Sequence, residues 1–399
     1  MKRRDFIKLT GGVSASLLAP EVLWAGQNGQ PPQATAAPNT AQRRKLVLIR
    51  LKGGNDGLNT LIPLQQYPRY REFRPTLSMP DHLHQFKARE LMGSGMALNP
   101  YLDKLQNWWG NGQGDIAWIQ GVGYARPVLS HFESADVWDT AAPPGHSTTG
   151  WLAHILPRYQ KDLHGMVLGS DELGPMSGKD CYAICMKSPE VFLSQMDLLD
   201  APQTMTASNP ALAHLANIQS QVVHASHELQ QKMSHPRPLG GAFANSKFGR
   251  QLESVAKMII NGVDTAVYQV ELDGFDTHSD QLNRQNHNLN YLADALDSFA
   301  TAMKRHGHWD NVLVMTYSEF GRRVHENRGG TDHGAASVQL VMGGSVRGGI
   351  YGQNPDLNNL DSQGNLPMTT DFRQVYATVA QRWFRQPSPW AQYGTLPFV

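Results

Sequence analysis

From Lys45 onward, near-continuous apolar runs of strand length alternate with longer stretches in which apolar residues recur every three or four positions. The runs are KLVLIRL (45–51), DIAWIQGVG (115–123), DTAVYQVEL (264–272), NVLVMTYS (311–318) and VQLVMGG (338–344), flanked by Gly, Asp or Asn. Helical periodicity covers 210–233, 246–262, 281–307 and 370–384. A strand that is apolar at successive positions is buried on both faces, which points to a parallel sheet with helices packed on each side. The expected fold is therefore α/β, a doubly wound and mostly parallel sheet, in one domain over 44–399 with no internal repeat.

In such a sheet, ligands bind beyond the carboxyl ends of the strands, and the polar clusters of this chain fall there. LVLIRL runs into KGGNDGLNT, DIAWIQGVG into YARPVLSHFESADVW, VYQVEL into DGFDTHSDQ, and VLVMTYS into EFGRR. Asp56, Ser130, Asp276, His278, Glu319, Asp332 and His333 can converge although they are far apart in sequence. Asp276 and His278 are two residues apart, a spacing that puts both side chains on one side of an extended segment. A carboxylate and an imidazole facing one point suit a divalent transition metal. Asp332 and His333 follow Gly329, Gly330 and Thr331, where a glycine turn brings backbone close to an ion. Each Asp-His step, read alone, is also an ordinary hydrogen-bonded turn, and the shared location at strand ends favours a site.

Ser130 opens a helical segment with Glu133 three residues on. The pair reads either as a capping box or as a hydroxyl poised at a helix start for nucleophilic chemistry. Arg322 and Arg323 could clamp an anion or form solvated ion pairs. The histidines at 214, 224 and 227 lie on a helical pattern among Gln and Ala, and surface or interhelical contacts account for them.

Charge narrows the field. Lys and Arg total 35 against 34 Asp and Glu, a net charge of +1 over 399 residues. No basic field of the kind nucleic acid or an anionic membrane would attract is present. What basic excess exists is concentrated at the start, where Lys2, Arg3, Arg4 and Lys8 outnumber Asp5 and Glu21. MKRRDFIK followed by LTGGVSASLLAP, too short an apolar stretch to span a bilayer, reads as a secretory signal over 1–25. The paired Arg3 and Arg4 with Phe6 and Lys8 resemble the twin-arginine export consensus, which implies recognition by that export machinery and a periplasmic or secreted destination with no stable transmembrane segment. Residues 26–43, rich in Gln, Pro, Ala and Asn, read as a disordered linker. The two cysteines, Cys181 and Cys185, cannot form a structural zinc site by themselves; they read as a pair of small buried thiols or, in an oxidising compartment, a local disulfide.

LIRLKGGNDGLNTLIPL, SHFESADVWDTA with GWLA, GFDTH, SEFGRR, and GGTDHG followed by MGG and GGIYG resemble the exported bacterial family of domain of unknown function 1501, from about Lys45 to Arg385. That family is grouped with the alkaline phosphatase and sulfatase superfamily. The resemblance implies an alkaline phosphatase-like fold, divalent metal ions, zinc or manganese foremost, and hydrolysis of phosphate or sulfate esters on a small-molecule or polymer substrate. It assigns Ser130 as nucleophile, Asp56, Asp276, His278, Glu319, Asp332 and His333 as metal ligands, and His131, Arg322 and Arg323 to anion binding. One departure stands out: Glu319 and Phe320 occupy the place of an Asp-His pair, and a phenyl ring cannot ligate. The other reading is a non-catalytic binding or assembly protein on a degenerate version of the fold.

Overall fold

A computed structural model describes residues 44–80, 89–91, 93–159, 161, 163–196, 222, 223 and 225–399. The stretches read from the sequence as a signal over 1–25 and a linker over 26–43, with the segment 210–221, lie outside the described residues, whereas 225–233 are helical.

The strands are β1 (Lys45–Leu51), β2 (Leu61–Pro63), β3 (Met96–Leu98), β4 (Ile116–Gly123), β5 (Leu163–Leu168), β6 (Ala183–Met186), β7 (Thr265–Leu272), β8 (Val312–Tyr317), β9 (Gly321–Arg322), β10 (His333–Gly334), β11 (Ser337–Met342), β12 (Gly349–Tyr351) and β13 (Thr370–Asp371). The helices that matter for the site are α1 (Gly57–Thr60), α2 (Tyr67–Phe73), α3 (His131–Thr140), α4 (Lys247–Ile260), α5 (Gln281–Arg305) and α6 (Phe372–Thr378). The main sheet runs β12-β4-β11-β8-β1-β7-β5-β6, with β13 also paired to β4. Strands β8, β1, β7, β5 and β6 are mutually parallel, and only β11 runs against its neighbours β8 and β4. The mostly parallel sheet expected from the apolar runs is the one observed. All five runs form strands, and β5 and β6 are added at one side.

Alternation along β1 shows how the sheet is covered. Val47, Ile49 and Leu51 join a core with Leu252 and Val255 of α4 and Leu289 and Leu296 of α5. Leu46 and Leu48 join the opposite core with Val137 and Trp138 of α3 and Phe372 and Tyr376 of α6. Successive side chains of a strand point to opposite faces, so a run with no polar interruption needs two hydrophobic layers. Cys181 and Cys185 are both buried in the second of them. Among the described residues no helix is long and apolar enough to cross a membrane.

β1 is the point where the chain order diverges, with β7 hydrogen-bonded on one side and β8 on the other. The carboxyl ends of these parallel strands open a crevice at the switch point. The turn after β1 is shaped by glycine: Gly53 has φ +116°, and a Cβ there would lie 2.2 Å from the Asp276 amide nitrogen. Only a residue without a side chain lets the exits of β1 and β7 come so close. Reversed β11 begins at the same edge, so the segment 332–337 enters the crevice from the side.

Candidate metal centre

Three ligand atoms meet beyond the ends of β7 and β8. His278 Nε2 lies 3.1 Å from Asp276 Oδ1 and 3.1 Å from His333 Nε2, and His333 Nε2 is 3.3 Å from the same carboxylate oxygen. Each imidazole has a polar neighbour on its far side. His333 Nδ1 donates to the Leu129 carbonyl at 2.8 Å, which leaves a lone pair on its Nε2. His278 Nδ1 faces Asp332 Oδ1 at 3.4 Å, which favours the same tautomer. Two lone pairs and an anionic oxygen pointed at one another repel unless a cation or shared proton stands between them.

The spacing tests the fit to an ion. Around a four-coordinate ion with bonds of about 2.0–2.1 Å, neighbouring ligand atoms stand about 3.3–3.4 Å apart; around a six-coordinate ion with the same bonds they stand about 2.8–3.0 Å apart. The observed separations fall between these values, within the tolerance expected of a metal site. His131, the first residue of α3, adds a further donor: its Nε2 is 3.5 Å from Asp276 Oδ2, and His131, Asp276 and His333 form a group able to hold a metal ion.

The surroundings tune these groups. His131 Nδ1 is 2.9 Å from Glu319 Oε1, and that hydrogen bond holds the His131 pKa above its ordinary value although burial opposes it. Burial works to raise the Glu319 pKa, but the bond from His131 and the charge of Arg50 outweigh it and keep the carboxyl below its usual range. Glu319 Oε1 also accepts from the Gly53 amide at 2.9 Å, while Oε2 is buried without a hydrogen-bond partner. Burial likewise pushes Asp276 up, yet Arg322 at 2.7 Å and the adjoining histidines bring its pKa down to about 2. His333 is held below its ordinary value by burial. Phe320, in the position where the resemblance called for an imidazole, packs on His333 with ring centroids 4.3 Å apart and on His131 at 4.9 Å. It braces two donors in place of supplying one.

The structure thus brings together Asp276, His278, His333 and His131, with Asp332 and Glu319 behind two of the imidazoles. Asp56 does not join them. It caps α1, accepting from the Leu58 amide at 3.2 Å, and its other oxygen binds Arg74 Nη1 and Gln281 Nε2, each at 2.5 Å. Arg322 donates to the carbonyls of Gly53, Gly54, Phe275 and Thr331 as well as to Asp276, which leaves its fork engaged with protein on every side. Arg323 reaches away to the Gln363 carbonyl. Ser130 stands at the N-cap of α3 but its side chain makes no capping hydrogen bond. It lies between Leu129, which receives the His333 bond, and His131. The sequence reading assigned His131 to anions, gave Arg74 no role and left Gln281 within a helix. The available signal was Gln281 and Gln285, both fully buried polar residues on α5 and both directed at the segment after β1.

A comparison with curated proteins finds no match. Among solved structures, the chain is similar to the lipoteichoic acid synthase LtaP from Listeria monocytogenes, at 11% identity over 88% of this chain and 74% of that one, with a TM-score of 0.39. It is similar to a protein in the alkaline phosphatase superfamily from Vibrio parahaemolyticus, at 12% identity over 88% and 71%, with a TM-score of 0.38. It is also similar to alkaline phosphatase from the Antarctic bacterium TAB5, at 10% identity over 77% and 94%, with a TM-score of 0.32. The family model described as a protein of unknown function (DUF1501) matches residues 190–390, half of the sequence and the part that carries Asp276, His278, Glu319 and His333, and the chain belongs to that family.

Proposed function

We propose that this chain is an exported, metal-dependent hydrolase of phosphate or sulfate esters that holds a divalent ion, zinc or manganese, on Asp276, His278 and His333 with His131 at the rim. The observation that carries the reading is the convergence of His278 Nε2, His333 Nε2 and Asp276 Oδ1 within 3.3 Å, with His333 oriented from behind by the Leu129 carbonyl. When bound, such an ion supplies Lewis acidity toward an ester oxygen and favours the ionised form of a nearby nucleophile. The protein's own part is to keep the donors in register. The Leu129 carbonyl sets the His333 tautomer, Asp332 faces the far side of His278, Glu319 orients His131, and Asp276 remains ionised at any physiological pH. Ser130, whose hydroxyl is not engaged in capping, is the proposed nucleophile. Export rests on Arg3 and Arg4 ahead of the short apolar stretch.

The test is metal analysis of the full-length protein from an export-competent host, paired with a screen of phosphate and sulfate esters. About one ion per chain, and turnover lost in both Ser130→Ala and His333→Ala, is expected. Protein that neither carries nor takes up zinc or manganese overturns the reading. One observation favours the non-catalytic alternative: Asp56, a ligand implied by the resemblance, is already bound by the Arg74 cation. Ion-loaded protein with no turnover on any ester would select a binding or assembly role.

A further inference from the structure

The start of α3 brings Ser130 and His131 to the cluster, and the residue that follows them is the one large apolar side chain of that helix left in water. Phe132 is 89% exposed, against 46% for Tyr101 and 40% for Val191, the other large apolar side chains left open among the described residues. It belongs to none of the three hydrophobic cores and packs against none of them. The inward positions of α3 are Ser134, Val137 and Trp138, and at 3.6 residues per turn Phe132 falls on the opposite side. A ring so placed contributes nothing to packing, whereas its position along the helix is that of the site. Phe132 is two residues from Ser130, so its Cα is no more than about 7.6 Å from that of the proposed nucleophile. Helical side chains lean toward the N-terminus, here the end that carries Ser130. The cluster is open to water on its outer side, with Asp276 and His278 both about half exposed.

We propose that Phe132 is a specificity residue that receives the alcohol portion of the ester, and that the substrates it selects are aryl esters. The proposal rests on the hydrolase reading and narrows it. An ester whose acid group sits at the cluster beside Ser130 projects its alcohol outward, past the first turn of α3. A phenyl ring there offers an apolar face and, unlike tyrosine or tryptophan, no hydrogen-bonding tip. Pro127, Val128 and Leu129, half-buried on the same loop, extend the apolar surface. A hydroxyl-rich alcohol would lose water against that surface without gaining a partner. An aryl group instead buries its ring against Phe132, in offset or edge-to-face contact.

The probes are phenylphosphonate and methylphosphonate, which share an anionic head, resist hydrolysis and differ in the group that meets Phe132. Each is titrated by calorimetry into the full-length protein loaded with manganese. The phenyl compound should bind about threefold to tenfold more tightly than the methyl one, the ratio should fall to about one in Phe132→Ala, and Phe132→Trp should restore it. Because Phe132 is exposed, both variants should keep the parent's melting temperature. Equal affinities in the parent, or a preference that survives in Phe132→Ala, overturn the inference and leave the hydrolase reading standing, since the anionic head still binds. Failure of both probes to bind the loaded protein overturns the hydrolase reading and this inference with it.

Discussion

His278 and His333 owe their orientation to one contact each on the side away from the cluster, so the outer contacts can be tested apart from the donors. Asp332→Asn should retain the fold and weaken metal binding about 10–100-fold, read by competition with a chelator; affinity equal to the parent would remove Asp332 from the site. Ser130 offers a cleaner separation. A capping serine is worth about 0.5–2 kcal/mol, but this one makes no capping bond. Ser130→Ala should therefore leave stability in urea within a few tenths of a kcal/mol of the parent while abolishing ester turnover. A loss near 1 kcal/mol would restore the capping role considered from the sequence. The difference is instructive about legibility. Ser130, Asp276, His278 and His333 stand in conspicuous short motifs, whereas the hydrogen bond that does or does not form at Ser130 depends on where Leu129 and His131 are drawn by His333 and Glu319, residues about 190–200 positions away.

At the level of elements, Arg74 at the end of α2 locks α1 to the segment that follows β9. It is completely buried, donating to Asp56, to Asn59 and to the carbonyls of Arg323 and Val324. Removing one partner of a buried ion pair leaves an uncompensated charge and costs about 3–5 kcal/mol. Arg74→Met should lose about that much in urea denaturation, and Asp56→Asn in the same chain should recover part of it; additive losses would show that the two side chains are not coupled. The sequence marked five strands because their apolar runs are long. Strands β5 and β6 escaped because LHGMVL contains His and Gly, and AICM is only four residues long and holds Cys185, which reads first as thiol chemistry. Their place in the sheet comes from pairing with β7, a tertiary fact with no local signature.

For the whole molecule, the pH dependence of stability should carry the mark of Asp139 on α3. Burial lifts its pKa to about 7, against the opposing charge of Arg50 and with help from Glu172. A carboxyl raised in this way binds its proton more tightly when folded, so its contribution is complete below the ordinary carboxylate value of 3.8 and is lost as pH rises through about 7. The melting temperature should fall over that window, and Asp139→Asn should flatten this component; an unchanged slope would refute it. Targeting is testable at the same scale: Arg3→Lys with Arg4→Lys should trap the protein in the cytoplasm, and unchanged periplasmic recovery would end the export reading. The grip of Arg322 on four carbonyls and on Asp276 fixes an order of events. This internal cation ties together the exits of β1 and β7 and the approach to β10. Under the proposed reading, loading is then a late and reversible step, and chelation should empty the centre without melting the protein; a melting temperature that drops on chelation would refute this.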